Sequence, residues 1–127
     1  MRKLLLLFAI TLALFGEVEY AKNVKSALEQ AKKEDKMVMV MLSKEDCDAC
    51  YYMEEIVFDD DDTAEMIMQD FIPVHLDIHN DYVGDYPYIG TPTFYFLDKN
   101  GKKVYRQDGA ANIKDFTQTL KIALSKK

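Results

Sequence analysis

The sequence predicts an α/β fold: a mixed four-stranded sheet with helices on both faces. Three observations predict it. Met37 to Leu42 is apolar at every position, the mark of a strand covered on both sides. Two β-rich runs flank Asn100-Gly101, a strong hairpin signal. Stretches with helical spacing precede, separate and follow these runs. The chain has 127 residues, 49% of them hydrophobic and 30% charged, which suits one soluble domain with a real core.

The elements follow in order. Met1-Arg2-Lys3 is a short basic start, and Leu4 to Phe15 is apolar except for Thr11. A span needs about 20 apolar residues, so this run falls short and reads as a secretory signal peptide. The expected division is a leader over 1–19, cleaved near 16–21, and a domain over 20–127. Neither Gly16 after Leu14 nor Ala21 after Glu19 makes an A-x-A site, so an uncleaved anchor stays open. Cleavage after Gly16 removes two of the 16 basic residues and none of the 22 acidic ones, moving the formal charge from −6 to −8. Such an acidic surface argues against nucleic acid and against anionic lipid as partners. An exported compartment also permits disulfides.

Tyr20 to Asp35 reads as a surface helix, with Val24, Ala27, Leu28 and Ala31 at helical spacing. The strand over 37–42 is expected in the sheet interior. Tyr51, Met53, Ile56, Val57 and Phe58 continue a second helix toward the acidic run Asp59 to Asp62, where Asp62 or Thr63 is expected to cap a third. Phe71 to Ile78 reads as a strand, and its Pro73 places it at an edge. Residues 79–90 are loop-like. Thr93 to Asp98 and Lys103 to Gln107 form the hairpin, the latter at the other edge, and a last helix runs from about 112 to 125. A right-handed crossover makes the first two strands parallel.

Both cysteines of the chain lie in Cys47-Asp48-Ala49-Cys50, directly after the interior strand. A helix starting there puts Cys47 in its first turn, exposing that sulfur while shielding Cys50, and lets the two close a reversible disulfide. Free N–H groups at a helix start favour the thiolate, the form that attacks disulfides. There is no third cysteine to complete a zinc site. Glu45, Asp46 and Asp48 surround Cys47 with negative charge, which opposes the thiolate unless solvent screens it. An acidic shell of this kind makes the dithiol a better electron donor. Met37, Met39 and Met41 read as core rather than as a copper site, and His75 and His79 lack an obvious third ligand. We expect no metal and no cofactor. Tyr82, Tyr86 and Tyr88 line a substrate groove or pack.

These residues resemble the thioredoxin superfamily over essentially all of residues 20–126. Cys47-Asp48-Ala49-Cys50 follows a buried strand, and Gly90-Thr91-Pro92-Thr93 precedes another, like the cis-proline loop that faces the family's cysteines. The chain is similar to the exported branch that includes the C-terminal periplasmic domain of the transmembrane thiol reductant conductor, whose pattern falls here at Cys47, Ala49, Cys50, Glu54, Phe58 and Asp60. Departures accompany it. Asp46 replaces the tryptophan before the first cysteine, Asp48-Ala49 replaces Gly-Pro, Met41 stands for the buried acid, and His75 stands for the lysine near it. The proton-handling pair of ordinary thioredoxins is thus absent.

The resemblance implies a thioredoxin fold and an exported thiol–disulfide oxidoreductase, periplasmic or secreted, acting on protein thiols and disulfides. Cys47 is the expected nucleophile and Cys50 the resolving thiol. Asp46 and Asp48 tune Cys47. Thr91 and Pro92, across a cis bond, bind an extended substrate segment as an added strand. Reduction is expected over oxidation, with a membrane thiol conductor as candidate electron donor, and the protein is expected to be a monomer. Two alternatives stay open: a non-catalytic binding or chaperone module with a structural Cys47–Cys50 disulfide, and a metallochaperone using the cysteines and a histidine.

Overall fold

The computed structural model describes residues 17–127. The leader expected over 1–19 falls outside these up to residue 16. The order of elements is helix α1 (Val24–Glu34), strand β1 (Met37–Ser43), helix α2 (Asp48–Tyr52) running into a π-helical stretch (Met53–Val57), helix α3 (Asp61–Asp70), strands β2 (Phe71–Asp77), β3 (Thr93–Leu97) and β4 (Lys103–Asp108), and helix α4 (Ile113–Leu124). The sheet order is β2-β1-β3-β4. β1 runs parallel to β2 and antiparallel to β3, and β3 is antiparallel to β4. The architecture is the α/β thioredoxin fold expected from the sequence, with β1 and β3 inside and β2 and β4 at the edges.

Alternation along β1 divides the core. Met37, Met39 and Met41 face a layer built from Cys50, Met53, Val57, Ile67, Phe116 and Leu120, contributed by α2, the π-helical stretch, α3 and α4. Val38, Val40 and Leu42 face α1 through Ala27 and Ala31, together with Tyr86 and Tyr95. Every β1 residue is buried, which is why its sequence shows no polar position. The three methionines are fully buried core.

Several boundaries depart from the sequence reading, each for a local reason. The first helix starts at Val24, not Tyr20. Ala21 bridges to Val74, its N–H donating to the Pro73 carbonyl at 2.8 Å on the outer side of β2. Asn23 then caps α1 by accepting the Ser26 N–H at 2.8 Å. The cap of α3 is Asp60, not Asp62 or Thr63: its carboxylate accepts the Thr63 N–H at 3.1 Å and hydroxyl at 2.7 Å. Asp61 and Asp62 instead occupy the first turn, where acids suit the helix dipole. The helix after the cysteines widens, so that the Phe58 N–H reaches the Met53 carbonyl at 2.8 Å. In the hairpin, Asp98 accepts N–H groups from Asn100 and Lys102. Gly101 takes a φ of +89°, a conformation glycine adopts without penalty.

Candidate active site

The strand-to-helix junction sets the first sulfur. β1 ends at Ser43, and Asp46 turns the chain with a φ of +55°. Cys47 then adopts extended backbone as the N-cap of α2, so it lies just before the first turn rather than within it. Its Sγ accepts the Cys50 N–H at 3.2 Å. Cys47 and Cys50 are joined as a disulfide, with Cα atoms 5.2 Å apart.

The second part of the site arrives from 44 residues further along. The Thr91–Pro92 peptide bond is cis. The Thr91 hydroxyl donates to Cys47 Sγ at 3.3 Å, and the Thr91 carbonyl oxygen stands 3.6 Å from the same sulfur. The loop is anchored on both sides. Thr93 Oγ1 donates to the Gly90 carbonyl at 2.7 Å, and the Gly109 N–H donates to the Pro92 carbonyl at 2.8 Å. Upstream, Tyr86 packs on Tyr95 with ring centroids 5.3 Å apart, and the Tyr95 hydroxyl bonds to the Pro87 carbonyl. Burial, then the Asp85 charge, raises the Tyr86 phenol above its ordinary range.

Cys47 keeps 6% of its surface and Cys50 2%. The sequence reading expected the first sulfur to be exposed. It is instead nearly covered, because Thr91 lies against it. The segments that flank Cys47 and lead into Thr91 carry acidic and apolar side chains at the surface. Glu45, Asp46 and Asp48 are exposed, and so are Tyr82, Tyr88 and Ile89, the last at 91%. Tyr86, by contrast, is packed.

Behind Cys50 the structure brings together residues that the sequence reading kept apart. His75 on β2 places Nε2 2.5 Å from Ser43 Oγ and 3.1 Å from Glu54 Oε1. Tyr20 lays its ring on His75 with centroids 5.6 Å apart. Burial, then the nearby Glu54 charge, pushes the Tyr20 phenol well above the usual tyrosine range. Cys50, Ser43, Glu54 and His75 line one open cleft of about 160 Å³. The signals were present in the sequence: Glu54 follows Cys50 by four positions, the same-face interval of a helix, and His75 is a polar interruption of an apolar strand.

A family model described as a thioredoxin-like domain matches residues 24–124. Among solved structures, a thioredoxin from Thermus thermophilus aligns at 24% identity and a TM-score of 0.72, covering 84% of this chain and 87% of that one. A candidate disulphide-isomerase from Bacteroides thetaiotaomicron aligns at 23% identity and 0.75, covering 87% and 95%. The C-terminal domain of DsbD from Neisseria meningitidis, in its oxidised form, aligns at 17% and 0.62, covering 81% and 92%. At these identities the likeness is one of fold. No curated protein matches the chain.

Proposed function

The chain belongs to the thioredoxin-like domain family, and we propose that it is an exported thiol–disulfide oxidoreductase that reduces protein disulfides through Cys47 and Cys50. The observation that carries this is the meeting of Cys47 Sγ with Thr91 at 3.3 Å, next to a cis prolyl bond and across 44 residues of sequence. A permanent staple needs no such partner.

In the reducing direction the Cys47 thiolate attacks one sulfur of the partner disulfide and releases the other as a thiolate. Cys50 then attacks Cys47 and releases the second partner thiol. Two electrons pass to the partner, and the Cys47–Cys50 bridge forms. In the bridged form the Cys50 N–H and the Thr91 hydroxyl both point hydrogen-bond donors at Cys47 Sγ, and donors held there on reduction favour its thiolate. Asp46 and Asp48 oppose this with negative charge and bias the pair toward giving electrons. The Thr91 backbone, beside Pro92 and against Cys47, accepts an extended client segment as an added strand.

Export and a periplasmic setting rest on the leader expected over 1–19. A reductant there needs an electron source, for which a membrane thiol conductor is the candidate. The test is turbidimetric reduction of insulin. The wild type is expected to be active, Cys47→Ser inactive, and Cys50→Ser to stall as a mixed disulfide that names the client. Activity that survives Cys47→Ser, or its absence in the wild type, would favour a binding module with a structural bridge, a reading to which the near-burial of Cys47 lends its support.

A further inference from the structure

The resolving step has a chemical requirement that Cys47 does not meet. Cys50 is buried, at 2% exposure, and a buried thiol holds its proton. Before it can attack, that proton must go somewhere. The cleft that Cys50 shares with Ser43 also holds Lys44, Glu45, Tyr51, Glu54, His75 and Asp77. Of these side chains only imidazole exchanges protons near neutral pH without a large perturbation.

The surroundings of that imidazole fit the task. Its Nε2 faces Ser43 Oγ at 2.5 Å and Glu54 Oε1 at 3.1 Å. When Nε2 carries a proton it donates to the Glu54 carboxylate, and the cation is balanced. When Nε2 is bare, the Ser43 hydroxyl turns to donate into it. Nε2 therefore has a hydrogen-bond partner in place whether or not it carries the proton. The remaining charged groups facing His75 are Glu17 and Asp59, which line an adjoining cleft with Tyr20. Lys44 is the one cation among the lining residues described.

We propose that His75, clamped between Glu54 and Ser43, takes the Cys50 proton through the shared cleft and so generates the resolving thiolate. This rests on the redox role of the cysteine pair proposed above. In the step, the Cys50 S–H bond breaks and its proton passes to His75 Nε2. The Cys50 thiolate forms a bond to Cys47 Sγ, and the bond from Cys47 to the client sulfur breaks. The client sulfur leaves with the electron pair and is protonated by solvent. His75 then returns its proton to solvent, and Glu54 and Ser43 act as positioning residues.

An aromatic disulfide that releases a coloured thiolate separates the two steps, because Cys47 attack frees one equivalent and Cys50 resolution frees a second. With reduced full-length protein at pH 7, His75→Gln is expected to leave the first phase unchanged and slow the second by about 10²-fold. The deficit should shrink as pH rises and hydroxide replaces the base. Glu54→Gln, at a half-exposed position, is expected to slow the second phase less and shift its pH profile. A second phase of wild-type speed and pH profile in His75→Gln overturns the relay, even where the variant melts lower, because a merely structural clamp would move stability and not the profile. A wild type with no second phase would be a different result: the pair would not resolve mixed disulfides, and the reading of Cys47 and Cys50 would fall together with the relay.

Discussion

Cys47 draws its surroundings from three parts of the chain: its own helix start, the Thr91 loop, and the acidic turn before it. The cysteine motif and Gly90-Thr91-Pro92-Thr93 were legible in the sequence because each is a local string with a fixed consequence. Glu54 and His75 each stand out in the sequence, but their meeting with Ser43 was not legible, because it joins three elements through the parallel register of β1 and β2 and the wide turn after α2. Asp46 shows a second limit. Charge beside a cysteine can be read from sequence, whereas the left-handed backbone, φ +55°, cannot. Replacing Asp46 by Ala should therefore cost about 1 kcal/mol in denaturant unfolding, while Asp46→Gly should be nearly neutral. In the Asp46→Asn/Asp48→Asn variant, which keeps the turn, the Cys47 thiol should titrate lower by thiolate absorbance. An unchanged titration would remove the acidic shell as the source of the proposed electron-donating bias.

At the scale of elements, apolar runs, helical spacing and the Asn-Gly signal located the strands and α-helices of the described residues, and the errors lie at helix starts and caps. Such errors are expected, since a cap is decided by which side chain reaches a free N–H. Asp60, Asp61 and Asp62 look alike in sequence, but only Asp60 accepts both the N–H and the hydroxyl of Thr63. Asp60→Ala should cost about 1 kcal/mol in thermal unfolding, and Asp62→Ala much less; equal losses would refute this assignment of the cap. The π-helical stretch leaves no periodic trace over five residues. It accompanies burial of Met53, Val57 and the adjacent Phe58, where Phe58 meets Phe94 and Phe116. Phe116 also packs at a tilt against Phe94, with centroids 5.0 Å apart. Phe116→Ala empties the centre of this cluster and should cost about 3–5 kcal/mol.

Across the whole molecule, stability comes from two apolar layers on either side of β1, and the disulfide closes only a four-residue loop within one of them. The chain-entropy relation assigns so short a loop roughly 2 kcal/mol, against the 5–15 kcal/mol typical of a domain. Reduction should therefore lower the melting temperature modestly and leave the fold intact, as turnover requires. Long-range charge adds a pH dependence. Asp35, at the left-handed end of α1, pairs with Lys99 at 3.1 Å and Lys127 at 3.4 Å. The Lys99 hydrogen bond, then the one from Lys127, holds its carboxyl below the usual carboxylate range. A lowered folded value means that the stabilisation is present at neutral pH and is lost as pH falls through that value. Asp35→Asn should thus melt slightly below wild type at pH 7 and match it once the pH has fallen below the lowered carboxyl value. High salt should also narrow the gap, because the pair is exposed.

The central claim is that the Cys47–Cys50 bridge is reversibly reduced by other thiols and poised to donate electrons. Equilibrating the full chain in graded thiol–disulfide buffers and quantifying free Cys47 and Cys50 measures this directly. The account predicts one two-electron transition between about −300 and −200 mV, on the reducing side of the oxidant class. A bridge still closed well below about −300 mV would mark a structural staple, and a midpoint near about −120 mV an oxidant; either would contradict it.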